Sequence, residues 1–129
     1  MTSPAAGATP SVDPQEAMEL LGGDALLVDV RDAREWAAGH PRHAIHIPLD
    51  EVSSSTPYTT RTRRVIVLSR SGRRAREAVV HLRVAGVDAV VLQGGLRAWV
   101  DAGGELVADD GREPRIVAPR RTEEPGGPA

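Results

Sequence analysis

The six residues Ser69-Arg70-Ser71-Gly72-Arg73-Arg74 bring more chemistry-bearing side chains together than any other stretch of the sequence. An apolar run, Val65-Ile66-Val67-Leu68, leads into them, and Ala75, Ala78, Val79, Leu82 and Ala85 follow at helical spacing. A strand, a short loop with glycine and a helix in that order aim unpaired backbone N–H groups and a helix dipole into one small space. That arrangement is a cradle for an anion, to which Arg70, Arg73 and Arg74 add positive charge. With Arg61, Arg63, Arg64 and Arg76 they account for seven of the 16 basic residues, all of them arginine. The segment from Arg61 to Arg76 is therefore expected to carry a strongly positive local field. It reads either as a docking patch for an acidic protein partner or as solvated surface. Ser69 and Ser71 offer hydroxyls, but no Gly-x-Ser-x-Gly elbow surrounds them and no general base stands beside them.

Other candidates are weaker. Asp29 and Arg31 follow an apolar run and are expected to tether neighbouring loops through buried hydrogen bonds. His40, His43 and His46 recur every third residue, but they straddle a proline and a turn, and no carboxylate falls in register with them. No metal site is expected, and His40 reads as a structural hydrogen-bonding residue. His81 is expected to be an exposed partner of Glu77, and Trp36 and Trp99 to be core residues. The chain has no cysteine. Disulfides, thiolate metal sites and every cysteine-nucleophile mechanism are thereby excluded.

These residues need a scaffold, and the pattern supplies an α/β one. Asp13-Pro14-Gln15-Glu16 combines an N-cap, a proline at N1 and an acid at N3, opening a short helix that stops at Gly22. Ala25 to Val30 has strand length, and Asp32-Ala33-Arg34-Glu35 repeats the capping pattern into a helix ending near Gly39. Ala44 to Ile47 is a shorter strand candidate, Val65 to Leu68 the clearest one, and Ala89 to Leu92 a fourth. Leu96 to Ala102 forms a last short helix. Continuous apolar strands alternating with helices predict a central, mostly parallel sheet of four to five strands with helices on both faces, a three-layer fold. Ligands of such sheets lie beyond the carboxyl ends of the strands, so Asp29 to Arg31, Pro48, Ser69 to Arg74 and Gln93 should share one rim.

The chain is 129 residues long with a net charge of −2, enough for one core and one domain. Residues 1–10 read as a flexible N-terminal segment, 11–107 as the folded domain, and 108–129, rich in Pro, Gly and charge, as a disordered tail. Trp36, Tyr58 and Trp99 are its only aromatics, too few for a base-stacking platform, and the acidic balance opposes a phosphate backbone. No nucleic-acid partner is expected. Nor does any apolar stretch approach the roughly 18 residues that would span a bilayer. A cytoplasmic, monomeric protein without a cofactor is the expectation.

Several separated motifs recur in register with one family. Leu27-Val28-Asp29-Val30-Arg31, Glu35-Trp36, Gly39-His40 and Ala44-Ile45-His46-Ile47-Pro48 are followed by Val65 to Arg74, Ala85-Gly86, and Gln93-Gly94-Gly95-Leu96-Arg97-Ala98-Trp99. Over residues 11–107 the sequence resembles the single-domain rhodaneses, sulfurtransferases with a strand–loop–helix active site. The resemblance implies a three-layer rhodanese-like fold and a first loop position held by a cysteine that carries sulfur as a persulfide. Here that position is Ser69, whose hydroxyl is far less acidic than a thiol and cannot hold sulfur in an S–S bond. The six-residue loop is similar to that of the sulfurtransferases, whereas the related dual-specificity phosphatases use one residue more. Arg74 stands where the family's closing arginine would be, and Asp29, Arg31 and His40 stand as supporting residues. After Gly39-His40 the chain reads Pro41-Arg42-His43-Ala44 where the family usually has Ile-Pro-Gly-Ala, so a different turn is expected there. Two readings follow. In one, the protein binds a small anion such as thiosulfate or sulfate, or a partner, without transferring sulfur. In the other, it is a thiosulfate or persulfide sulfurtransferase whose cysteine has been substituted by serine in this chain.

Overall fold

The computed structural model describes residues 8–54 and 63–119. The elements run β1 (Ser11–Val12), α1 (Pro14–Leu21), β2 (Leu26–Asp29), α2 (Ala33–Ala38), β3 (His40–Pro41) and β4 (Ile45–His46). A 3₁₀ turn (Leu49–Glu51) then precedes β5 (Val65–Leu68), α3 (Arg73–Val84), β6 (Ala89–Leu92), α4 (Gly95–Asp101) and β7 (Leu106–Val107). Five strands form a parallel sheet in the order β1-β6-β5-β2-β4. This is the α/β architecture expected from the sequence, with helices packed against both faces.

The central strands β5 and β6 are continuously apolar because both faces are covered. On β5, Val65 and Val67 join a cluster with Ala75, Ala78, Val79 and Leu82 of α3. Ile66 and Leu68, pointing the other way, join Ala17 of α1 and Leu96 and Trp99 of α4. All four β5 side chains are fully buried. Transfer of so much branched aliphatic surface out of water makes β5 the axis of the domain.

Capping sets the helix starts. Asp13 accepts the Glu16 amide at 2.8 Å, and Asp32 accepts the Glu35 amide at 2.8 Å while Glu35 Oε1 takes the Asp32 amide at 3.1 Å. The second is a complete capping box.

Three features depart from the sequence reading. β1 is a strand of two residues, paired with the end of β6, and Pro10 C=O already accepts the Val91 amide at 2.9 Å. β3 and β7 pair antiparallel in a separate two-stranded sheet, which occupies the turn expected after His40. The segment after Val107 does not hang free as far as residue 118. The amides of Asp109 and Asp110 donate to Ala37 C=O, and that of Arg115 to Ala38 C=O, at 2.8 to 3.2 Å. Arg34 Nη1 donates to Ala118 C=O at 3.1 Å, and Ile116 packs against the α4-side cluster. These amides satisfy carbonyls that the last turn of α2 leaves open, which a reading of composition alone does not reveal. Gly39 permits the approach, since a Cβ there would overlap the Arg115 backbone. Residues 1–7 and 120–129, parts of the expected flexible ends, lie outside the described residues.

Candidate anion-binding site

The carboxyl ends of β6, β5, β2 and β4 bring Gln93, Ser69 to Arg74, Asp29 to Arg31 and Pro48 to one rim. Ser69 terminates β5 and is only 1% exposed. Its Oγ accepts the amides of Gly72 and Ala75, each at 3.1 Å. Gly72, at φ +116°, turns the chain so that these amides reach back. The loop is also pressed from the side: Ser69 C=O accepts the Leu96 amide at 2.9 Å. A Cβ on Gly95, which sits at φ +65°, would stand 2.5 Å from the carbonyl oxygens of both Ser69 and Arg70. The Gly94-Gly95 pair is therefore what allows α4 to begin against the loop.

Backbone donors remain. Among the described residues, the amides of Arg70, Ser71, Arg73 and Arg74 have no hydrogen-bond acceptor. They belong to the loop and to the first turn of α3, where the helix dipole is positive. The arginine side chains divide into two kinds. Arg74 is committed: Nη1 and Nη2 donate to Glu35 Oε1 and Oε2 at 2.7 and 2.9 Å. That bond to Glu35, against the cost of burial, holds the Arg74 guanidinium above its ordinary pKa. Its charge is thus neutralised by a carboxylate that is itself fully buried. Arg70 and Arg73 have no carboxylate partner among the described residues, and Arg70 Nε is buried without an acceptor.

The expected single field over Arg61 to Arg76 does not form. Arg63 and Arg64 stand at the entrance of β5, the opposite end of the sheet from the loop. Arg63 Nε donates to Asp24 C=O at 2.6 Å and Arg64 Nε to Asp88 Oδ2 at 3.1 Å. Four strand residues, roughly 13 Å, separate them from Ser69. Sequence neighbours on either side of a strand lie at opposite ends of it, and Arg61 lies outside the described residues.

Asp29 and Arg31 form a fully buried pair beneath the rim. Arg31 Nε and Nη2 donate to Asp29 at 2.8 to 3.1 Å, and Nη2 also to Gly39 C=O at 2.6 Å. The pair ties the end of β2 to the end of α2. His40, also buried, bonds Pro41 C=O through Nδ1 at 3.0 Å and approaches Asp109 at 3.4 Å through Nε2. Its ring stacks on Trp36, with centroids 3.5 Å apart, and His46 stacks on the same indole at 4.7 Å. Trp36 is only partly buried and belongs to neither core cluster, unlike Trp99, which is in the core as expected. No group of three or more His, Asp or Glu among the described residues is placed to hold a metal ion. His81 and Glu77 line a cleft of about 500 Å³ beside Arg74 without a bond between them. Glu35 is the site residue that the sequence reading placed as a helix cap and in the Glu35-Trp36 motif but gave no role at the loop. Neither signal says anything of Arg74, 39 positions away.

Comparison with known proteins agrees with this geometry. The rhodanese-like domain family matches residues 13–102. A sulfurtransferase of Allochromatium vinosum is 34% identical over 89 residues, covering 68% of this chain and 83% of its own. The thiosulfate sulfurtransferase GlpE of Actinobacillus pleuropneumoniae is 33% identical over 101 residues, covering 71% and 87%. The uncharacterized protein slr1261 of Synechocystis is 33% identical over 95 residues, and the chain spans only 53% of that protein's length. Among solved structures, the rhodanese-like domain protein of Staphylococcus aureus superposes with a TM-score of 0.69 at 29% identity, over 77% of this chain and 99% of that one. The rhodanese-related protein of Thermoplasma volcanium gives 0.70 at 26%, over 76% and 97%. No described helix is long and apolar enough to cross a membrane. By the family match over residues 13–102 and the identity to its sulfurtransferase relatives, the chain belongs to the rhodanese-like domain family, a sulfurtransferase family, and it does so without a cysteine.

Proposed function

We propose that the protein is a binding module in which the loop from Ser69 to Arg74 holds a small oxyanion, of the size of sulfate or thiosulfate, and transfers no sulfur. One observation carries this reading: Ser69 Oγ is engaged by the Gly72 and Ala75 amides, while four further amides around it are left without acceptors. The hydroxyl holds the loop in shape and the free donors supply the cradle. Oxygen lone pairs of a tetrahedral anion match N–H donors, and hydrogen bonds to a charged acceptor are the stronger kind. Arg70 and Arg73 add uncompensated charge, whereas Arg74 braces the loop through Glu35 and does not serve as a ligand. A serine hydroxyl with no base among its hydrogen-bond partners is not activated as a nucleophile.

Thiosulfate titrated into the protein in a calorimeter should bind saturably at one site, and the same solution treated with cyanide should yield no thiocyanate. Absence of saturable binding would overturn the reading, and thiocyanate formed catalytically would replace it with an enzyme. The second reading, a sulfurtransferase whose cysteine has been substituted by serine in this chain, is favoured by the two amides that converge on the side chain of residue 69. The codon for residue 69 in the natural gene decides it, since a serine codon there excludes substitution.

A further inference from the structure

On the α3 side of the sheet, next to the cradle, a cleft of about 360 Å³ is bounded by Thr9, Ser11, Gly72, Arg76, Gln93 and Gly94. Its size falls in the range of small-molecule sites, roughly 300–1,000 Å³, and exceeds what an inorganic oxyanion fills. Gly72 belongs to both spaces: its amide donates to Ser69 Oγ, and Arg76 Nη1 lies 3.5 Å from where a Cβ on Gly72 would stand. The Arg76 guanidinium has no carboxylate partner among the described residues, in contrast to Arg64, Arg74, Arg83 and Arg115. Gln93 is held in place, its Nε2 donating to Ser11 Oγ at 2.9 Å, which leaves Oε1 as an unpaired acceptor among the described residues.

Resting on the cradle reading above, we infer that the ligand is a small organic dianion carrying sulfonate or phosphate groups. One oxyanionic end sits on the free amides of the loop, the body lies along Gly72 and Gly94, and the second anionic group meets Arg76. Guanidinium is the group suited to such an end, since its planar N–H fork pairs with two oxygens at once.

Titration calorimetry at constant ionic strength with methanesulfonate and ethane-1,2-disulfonate tests this. The disulfonate should bind up to about fivefold more tightly, the value of one ion pair at an exposed guanidinium. Arg76→Gln should abolish that advantage while methanesulfonate binds as before, and Arg76→Lys should restore part of it. Equal binding of the two probes would overturn the inference, as would an Arg76→Gln variant that weakens both equally, because Arg76 would then serve the cradle itself. If methanesulfonate binds without a disulfonate advantage, the cradle reading stands and the dianion falls. If neither probe binds, the dianion falls, and the thiosulfate titration decides the cradle separately.

Discussion

At position 69 an oxygen accepts two amide hydrogens where a sulfur nucleophile would need them to stabilise its negative charge. The surroundings of that atom, two amides and the start of a 12-residue helix, are those that depress a thiol pKa. Ser69→Cys should therefore gain thiosulfate:cyanide sulfur transfer. The thiolate attacks the outer sulfur of thiosulfate, the S–S bond breaks with sulfite leaving, and cyanide removes the sulfur as thiocyanate. No thiocyanate from a folded Ser69→Cys protein would show that the rim has lost more than its nucleophile. The neighbouring Glu35–Arg74 pair works on stability. Glu35→Gln keeps an acceptor for the Asp32 amide but leaves Arg74 without its counter-charge, and Arg74 is 26% exposed and can turn to water. We expect a loss of about 2 kcal/mol in denaturant unfolding. A loss below about 0.5 kcal/mol would mean that the pair does not brace the loop. This pair was not legible in the sequence because side-chain partners 39 residues apart leave no mark in local spacing. Ser69, Gly72 and the arginines were legible because the loop's chemistry is local.

Among the elements, legibility followed the source of each one's stability. β5 is four apolar residues buried on both faces, and α1 and α2 carry their own caps, so each announces itself in its residues. β1, β3 and β7 are two residues long and exist because a partner strand is already in place. The strap from Ala108 to Ala118 is polar and proline-containing, yet its backbone closes the open end of α2. Truncation after Val107 should cost about 2 kcal/mol through the loss of Ile116 packing and of the bonds to Ala37 and Ala38. An unfolding midpoint unchanged by truncation would contradict that role. The strap also carries an ion pair whose pH dependence has a definite sign. Arg115, by hydrogen bond, holds the Asp110 carboxyl below its ordinary value of 3.8. A carboxyl depressed in the folded state adds stability above its unfolded pKa and loses it as pH falls through the folded value. The difference in thermal midpoint between the protein and Asp110→Asn should thus be constant near neutral pH and shrink below about pH 4. A difference that persisted in acid would place the effect elsewhere than in the charge.

Over the whole molecule, the direction of the strands decides what the charges can do. A parallel sheet sends every strand's carboxyl end to one rim, so a chain of net charge −2 still presents unpaired arginines and free amides together beside Ser69. The same polarity removes Arg63 and Arg64 to the far end, where they bind a carbonyl and a carboxylate and leave the cradle alone. Counting arginines along the sequence overstated the positive patch because it ignored the length of the strand between them. What remains is a rhodanese-like loop shaped by Ser69, braced by Glu35 and Arg74, and carrying backbone donors without acceptors, which we propose an oxyanion occupies. Titration of thiosulfate into isotopically labelled protein, followed residue by residue through its amide resonances, tests this most directly. The account predicts saturable shifts concentrated on Arg70, Ser71, Arg73 and Arg74, and resonances of the strap that stay in place. Shifts that fail to saturate, or that gather at Arg63 and Arg64 in place of the loop, would contradict it.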